Sequence, residues 1–178
     1  MRTPSFAGFA PSSAAASRAK RANRKEGGRA EQLLRQLLWR RGLRFRTHLL
    51  ALPGCPDIVF PRARLCVFCD GDFWHGRDWP SLQEKLAKRA NPGYWIPKIQ
   101  RNIERDAAQA LALEAAGWTV LRLWETDILQ CPDLAVSRVL EAVSRVGESP
   151  ERTPLHESPR AIGGPTAEAP SSASTGNA

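Results

Sequence analysis

The residues of this chain that could carry chemistry are concentrated in one stretch, LPGCPDIVFPRARLCVFCDGDFWHG (52–76). It contains Asp57 directly after a proline, the acids Asp70 and Asp72, and a histidine, His75. Hydrolysis of a phosphodiester needs a metal ion, a group that activates water, and stabilisation of the charge that develops on the phosphate. Mg²⁺ prefers oxygen ligands, usually one or two carboxylates completed by water and phosphate. We therefore interpret the stretch as the metal and phosphate site of a nuclease.

Two of these acids flank short apolar runs that are expected to pair. Asp57 begins one run, 57–60, and Asp70 follows the other, 65–69. If the two runs are neighbouring strands, both carboxylates come to one edge of the sheet. Clustered carboxylates repel one another without a cation, which favours a metal site. The alternative is that they are loop and cap acids, because Asp70-Gly71-Asp72 is also a good turn sequence.

His75 follows two adjacent aromatic residues, Phe73 and Trp74. Its position close to the acids suits a general acid or base, although a single histidine can also be a surface or packing residue. Neighbouring residues of a strand cannot both face one core, so one of the two aromatic rings is expected to be exposed. An exposed ring beside a phosphate site can insert between base steps; the alternative is that both rings belong to the core.

The cysteines offer a second, weaker site. Cys66 and Cys69 form a CxxC pair, but in a strand residues i and i+3 point to opposite faces, and no second CxxC or HxxxH pair follows. We interpret them as small core residues rather than zinc or redox ligands. The sequence shows no secretory signal and no run of the roughly 18 apolar residues that a membrane helix needs. A reducing cytoplasm and free thiols are the expectation.

The charge of the chain indicates a polyanionic partner. The 178 residues carry a net charge of +8, with a pI of about 10.0. Between Arg18 and Arg46 there are eleven Lys or Arg residues and only two acids, Glu26 and Glu31. This density of positive charge at one end favours a nucleic acid.

The elements that must position the site are readable from periodicity. RAEQLLRQLLWRRG has leucines at helical spacing, with Glu31 in the first turn and Gly42 as a stop. The residues 43–48 alternate in polarity and predict a half-exposed strand. The runs 57–60 and 65–69 predict a hairpin with a loop of four or five residues.

Downstream, a loop over 78–93 with a short basic helix inside it precedes a long helix that we expect to begin at Pro97 and to end at Gly117. Apolar residues predict its buried side: Ile99, Ile103, Ala107, Ala110, Leu111 and Leu113. Another face carries Lys98, Asn102 and Arg105. The run WTVLRLW (118–124) predicts a strand beside the hairpin, and 133–146 predict a final amphipathic helix.

These elements predict an α/β fold with a small mixed sheet flanked by helices. The predicted boundaries are a flexible basic arm over 1–22, the folded domain over 23–146, and a disordered tail over 147–178 that is rich in Gly, Pro, Ser and Ala.

Six pieces of the chain together resemble a known family. In order they are SRAKRANR, RAEQLLRQLLWRRGLRFR, LPGCPDIVF, CVFCDGDFWHG, YWIPKIQRNIERD and GWTVLRLWE, spread over about residues 17–129. They resemble the very-short-patch-repair (Vsr) mismatch endonucleases, a branch of the PD-(D/E)xK restriction-endonuclease-like fold. The resemblance implies a restriction-endonuclease-like domain that nicks DNA 5′ to the thymine of a T·G mismatch.

The resemblance also implies roles for single residues. Asp57 matches an aspartate that binds Mg²⁺, and Cys69 matches a residue whose backbone carbonyl is a metal ligand. His75 matches a histidine beside the scissile phosphate that is thought to help activate water. Glu31 matches a helix glutamate associated with the water shell of the metal.

The chain matches the family pattern at two aromatic positions and differs from it at several others. Phe73 and Trp74 match the rings that wedge into the duplex beside the mismatch. The family's best-known form has a histidine at the position of Asp70, so we expect Asp70 to be a second carboxylate ligand. It also has a structural zinc, and two of its cysteine positions are Asp72 and Thr126 here, with others near Arg77 and Trp79. We expect no structural zinc, and a loop over 76–93 that is more mobile unless Trp79 anchors it.

The combined expectation is a Mg²⁺-dependent endonuclease that nicks double-stranded DNA at T·G mismatches in very short patch repair. Lys98, Asn102 and Arg105 are expected to contact the phosphate backbone. Two alternatives remain open: a Vsr-like nuclease of restriction or defence systems without mismatch preference, and a DNA-binding module whose catalytic site has decayed. The expected partners are DNA and other mismatch-repair proteins, with no membrane. The expected state is a monomer associated with the bacterial nucleoid.

Overall fold

The computed structural model of the chain describes residues 28–147. The predicted arm over 1–22, residues 23–27 of the predicted domain, and the tail after residue 147 lie outside the described residues. None of the helices between residues 28 and 147 has the length and apolar character to cross a membrane.

A three-stranded sheet forms the centre of the domain. Its strands are β1 (Ile58–Phe60), β2 (Leu65–Asp70) and β3 (Thr119–Trp124), in the order β1-β2-β3. β1 and β2 are antiparallel, joined by a loop over 61–64, whereas β2 and β3 are parallel. The predicted hairpin and the predicted strand beside it are therefore confirmed.

Helices surround this sheet. They are α1 (Arg29–Arg40), α2 (Trp79–Ala87), α3 (Pro92–Ala115), α4 (Glu125–Gln130) and α5 (Pro132–Gly147). The first helix, the short helix within 78–93 and the final amphipathic helix were all predicted from periodicity.

The alternation of side chains along β2 creates two cores on opposite faces of the sheet. On one face Leu65 and Val67 pack in a cluster with apolar residues of α1, α4 and α5. On the other face Cys66 and Phe68 pack with Leu113 of α3. The mixed α/β fold with helices on both sides of a small sheet is thus confirmed. Cys66 is fully buried, as expected of a small core residue.

The long helix α3 begins earlier than predicted. It starts at Pro92 rather than Pro97, so Pro97 lies inside the helix. Pro92 holds the first helical position, where the missing N–H of a proline leaves no hydrogen bond unmade. Gly117, with a left-handed φ of +76°, follows the end of the helix, as predicted. The prediction that Ala107 and Leu111 are buried was wrong, because both are exposed, Leu111 to 67%.

The predicted strand over 43–48 does not form. Only Arg46 pairs with β1, through two backbone hydrogen bonds of 2.8 Å to Val59. His48 follows with a left-handed backbone, φ +48°, which breaks the extended conformation. The segment is therefore a loop that crosses the edge of the sheet.

Candidate active site

Three side chains near the start of β1 form a group that could hold a metal ion. Glu31 lies in the first turn of α1, His48 lies in the loop before β1, and Asp57 directly precedes β1. One ligand atom from each lies within 4.8 Å of the others. His48 Nε2 is 3.1 Å from a carboxylate oxygen of Glu31. The left-handed turn at His48 places its side chain in this group.

The electrostatics of this group favour a cation. Burial raises the pKa of Asp57 to about 6, the hydrogen bond from the N–H of Cys69 lowers it, and the charge of Glu31 raises it further. Glu31 is 5% exposed and has Arg35 as a partner at 2.6 Å. A divalent cation would stabilise the ionised form of both carboxylates, so this donor set fits such an ion.

Cys69 belongs to this group through its backbone. Its N–H donates to Oδ2 of Asp57 at 2.7 Å. The N–H and C=O of one strand residue point to the same side, so the Cys69 carbonyl also faces the Asp57 edge. Burial raises the pKa of the Cys69 thiol well above its ordinary value, and the negative charges of the nearby acids raise it further. The thiol therefore stays protonated and is a poor metal ligand.

A second group lies on the other side of β2 and centres on His75. Nδ1 of His75 is 2.5 Å from Oδ2 of Asp106, a buried acid of α3. Burial alone would raise the pKa of Asp106, but hydrogen bonds from His75 and Arg105 outweigh it, and the pKa is lowered. Because an ionised carboxylate only accepts, Nδ1 carries the proton. Nε2 is then the ring nitrogen that remains for a substrate.

Asp70 lies beside this second group rather than in the Glu31–His48–Asp57 group. Its carboxylate receives two hydrogen bonds from Arg122 of β3, at 2.5 and 2.7 Å. Its Oδ1 is also 3.5 Å from Nδ1 of His75. The expected role of Asp70 as a metal ligand stays a prediction, but both of its oxygens already have a cationic partner.

Aromatic rings gather directly beside His75. Phe73 and Trp74 are 5.1 Å apart, and each contacts Trp95 of α3, at 5.5 and 5.9 Å between ring centroids. Tyr94 lies 4.9 Å from Trp95. We call these four residues the aromatic cluster. All four are half-buried, so part of each ring faces solvent.

Two contacts hold the loop that carries Phe73, Trp74 and His75 against α3. The side-chain amide of Asn102 donates to the carbonyl of Trp74 at 2.9 Å. Gly76 has φ +70°, and a Cβ there would lie 2.5 Å from Ile103. Glycine is thus required both by the backbone conformation and by the close approach to the helix.

A polar network, which we call the clasp, ties the same loop to α4. Asp72 accepts hydrogen bonds from the backbone N–H and the hydroxyl of Thr126, at 3.1 and 2.8 Å. Arg77 bridges Asp72 at 2.8 Å and Asp127 at 2.7 Å. Trp79, the residue named above as the alternative anchor of the loop, begins α2, and its anchoring role stays a prediction. The clasp occupies positions that the resemblance links to zinc; the expected absence of zinc stays a prediction.

The predicted DNA-contacting residues differ in their surroundings. Lys98 is half-buried and Arg105 is exposed, with its guanidinium on Asp106 at 2.9 Å. Asn102 is only 8% exposed and already donates to Trp74. Their contacts with DNA stay predictions.

Three residues of the site were not singled out from the sequence: His48, Asp106 and Arg122. For Asp106 a signal existed, because Asn102 and Asp106 fall on the same helical stripe as the buried Ile99 and Leu113. A polar residue on a buried stripe needs a partner, which here is His75. For His48 and Arg122, whose partners are distant in sequence, we find no comparable signal.

Comparison with known proteins identifies the family of this chain. The family model described as DNA mismatch endonuclease Vsr matches residues 12–81. The chain is 38% identical over 121 residues to the type II nicking enzyme V.NmeDIP of Neisseria meningitidis serogroup C, which covers 68% of this chain and 80% of that protein.

Two further relatives show the same pattern. The type II nicking enzyme V.HpaIIP of Haemophilus parainfluenzae is 35% identical over 124 residues, 70% of this chain and 86% of its own length. The DNA mismatch endonuclease Vsr of Escherichia coli strain K12 is 39% identical over 95 residues, 53% of this chain and 59% of its own length. The chain therefore belongs to the Vsr family of DNA endonucleases.

Proposed function

We propose that this endonuclease uses Mg²⁺ to nick one strand of duplex DNA at a T·G mismatch. One observation carries the proposal: a carboxylate-rich group and a histidine–aspartate pair flank the end of β2, directly beside the aromatic cluster. The first group, Glu31, His48 and Asp57, suits a cation. The second, His75 with Asp106, suits proton transfer.

Asp57, the carbonyl of Cys69 and Glu31 would hold the metal ion. They offer the oxygen ligands that Mg²⁺ prefers, whereas His48 offers a nitrogen beside them. When bound, the ion would supply positive charge for the phosphate as negative charge develops there. Arg35, which contacts Glu31 at 2.6 Å, would keep that carboxylate in place.

His75 would handle the proton. Asp106 holds Nδ1–H, so the bare Nε2 of a neutral ring can accept a proton from water, and a charged ring can donate one. Lys98, Arg105 and Asn102 would steady the phosphate backbone, as the position of all three on α3 suggests. The half-exposed rings of the aromatic cluster would insert at the distorted base step.

A second function is nicking without mismatch preference. The names of two relatives reported above, type II nicking enzymes, favour it. In either case the partner is double-stranded DNA, and we propose that the enzyme acts in the cytoplasm as a monomer.

A nicking assay separates these functions. Duplexes that differ only in one T·G or T·A pair would be incubated with the full chain and Mg²⁺. We expect faster nicking of the T·G duplex, and a loss of more than about 100-fold in Asp57→Asn. Equal rates on both duplexes would favour nicking without mismatch preference. If neither protein cuts any duplex while both bind DNA, a binding module without catalysis is the correct function.

The variant Trp74→Ala tests whether the ring of Trp74 inserts at the mismatched base step. Loss of base stacking worth about 1–3 kcal/mol should reduce binding to the T·G duplex more than binding to the perfect duplex. Binding of both duplexes would be measured by fluorescence anisotropy. Trp39→Ala, which removes a 55% exposed tryptophan of α1, is the matched control. An equal loss on both duplexes would mean that Trp74 only supports the fold.

A further inference from the structure

Arg122 contacts both acids that approach Nδ1 of His75, Asp70 and Asp106. Its guanidinium forms a two-pronged ion pair with Asp70, Nε to Oδ2 at 2.5 Å and Nη2 to Oδ1 at 2.7 Å. Nη2 also lies 3.4 Å from Oδ2 of Asp106 and 3.3 Å from Nδ1 of His75. The contact with His75 is not a hydrogen bond, because both atoms carry protons when Nδ1 donates to Asp106.

The charges around His75 require such a cation. Asp70 and Asp106 are 2% and 8% exposed, and both carboxylates approach Nδ1 of His75, at 3.5 and 2.5 Å. Two buried carboxylates that approach the same atom repel each other unless a cation contacts them. Within residues 28–147, Arg105 forms an ion pair with Asp106 and none with Asp70, and its side chain is 53% exposed. Arg122 is therefore the cation that contacts both acids and holds them in place beside His75.

Stability alone is a weak reason for this arginine. Its Nη1 is buried and makes no hydrogen bond to the described part of the chain. A buried donor without a partner is unfavourable, and an apolar side chain often stabilises a core as well as a buried ion pair does. An apolar residue would also pack on Phe68, whose ring lies 4.9 Å from the guanidinium.

We propose that Asp70 and Arg122 form one neutral positioning pair that holds the His75–Asp106 pair in its working arrangement. Asp70 then acts through Arg122 and not as a metal ligand. This inference rests on the proposed proton transfer by His75. The fork of the arginine matters, because a lysine cannot reproduce two parallel hydrogen bonds to one carboxylate.

The test is a double-variant cycle in the full chain. Nicking would be measured at saturating Mg²⁺, with kcat and KM determined separately. Asp70→Asn and Arg122→Gln should each lower kcat by about 10- to 100-fold with little change in KM, because each leaves an uncompensated charge beside His75. The double variant, which is neutral again, should recover at least about tenfold over either single variant. Arg122→Lys should fall between wild type and Arg122→Gln.

The matched control is a variant of an exposed ion pair. Arg145→Gln removes an arginine from an exposed pair with Glu141 and should change nothing. If the double variant is as inactive as Asp70→Asn, and both need more Mg²⁺ than wild type, Asp70 is a metal ligand and the proposal is wrong.

A spectroscopic measurement separates this proposal from the proposed function. The chain has three histidines, and the ¹⁵N signals of His75 can be assigned with His75→Gln. The Nδ1 signal of His75 should shift in both single variants and return towards the wild-type position in the double variant. Unchanged Nδ1 signals in the single variants would contradict the proposed role of Asp70 and Arg122, even if the wild-type protein nicks DNA. If wild type cuts no substrate but the signals follow this pattern, only the proposed function fails.

Discussion

At the scale of single residues, a short contact with a buried acid determines which nitrogen of His75 is available. Asp106 fixes Nδ1–H at 2.5 Å, and the lowered pKa of Asp106 keeps it an acceptor. The ring is therefore held both in orientation and in tautomer, which costs the enzyme no reorganisation when substrate arrives.

Asp106→Asn tests this arrangement. An asparagine can present its NH₂ group to Nδ1 and favour the other tautomer, so we expect kcat for nicking to fall by about 100-fold or more while DNA affinity is retained. Single-turnover nicking and anisotropy would measure the two quantities. Asp133→Asn, an acid whose side chain is 85% exposed, is the control. A loss of DNA affinity equal to the loss of rate would argue against a role in proton transfer.

At the scale of elements, the clasp explains how the loop after β2 keeps its place. The N-cap residue of α4, Trp124, makes no side-chain cap hydrogen bond. Asp72 supplies one from the loop instead, by accepting from the N–H of Thr126 in the first turn. A carboxylate at a helix N-terminus is also favoured by the helix dipole. The loop and α4 are thereby coupled, and His75 lies between Asp72 and Arg77 in the sequence.

Asp72→Asn should lower the free energy of unfolding by about 1–2 kcal/mol and the Tm by several degrees. Thermal unfolding followed by circular dichroism would measure both. Asp78→Asn is the control, because Asp78 makes no cap hydrogen bond at the start of α2. Equal Tm values for Asp72→Asn and wild type would show that the clasp does not stabilise the loop.

The clasp also has a defined pH dependence. Burial alone would raise the pKa of Asp72, but hydrogen bonds from Arg77 and Thr126 outweigh it, and the folded-state pKa is below the ordinary value of 3.8. The stabilisation is therefore present above pH 3.8 and is lost as the pH falls through the lower folded-state pKa. The stability difference between wild type and Asp72→Asn should shrink in this acidic range. A constant difference would contradict an ionised Asp72.

At the scale of the whole molecule, net charge and site geometry point to the same substrate. The chain carries +8, and the cationic side chains Lys98 and Arg105 extend from the helix that also carries Asp106. Phosphate contacts release counterions, so DNA affinity should fall steeply with salt.

Arg105→Gln measures one such contact. The slope of log K against log salt concentration should become shallower by about 0.9, and affinity should weaken alike for perfect and mismatched duplexes. Arg138→Gln, on the exposed side of α5, is the control and should leave the slope unchanged. An unchanged slope for Arg105→Gln would mean that Arg105 pairs with Asp106 and does not contact a phosphate.

The sequence by itself determined the mixed sheet, the hairpin and most of the helices. Alternating and helical periodicities report directly which face of an element is buried, and Pro and Gly mark where elements end. Asp57 and His75 were also predicted from the sequence as site residues, because a carboxylate or histidine beside a strand end is a local pattern, and their roles stay predictions. The start of α3 was misjudged by five residues, because both Pro92 and Pro97 fit a first helical position and the sequence pattern favoured the later one.

Only the tertiary structure decided how the charged residues are grouped. His48 reaches Glu31 because of a left-handed turn, Asp106 meets His75 across the loop, and Arg122 takes both oxygens of Asp70. These partners are 17 to 52 positions apart, and local patterns carry no information on such pairs. Burial then sets which partner each charge needs, since an unpaired charge in the interior is unfavourable whatever its sequence neighbours.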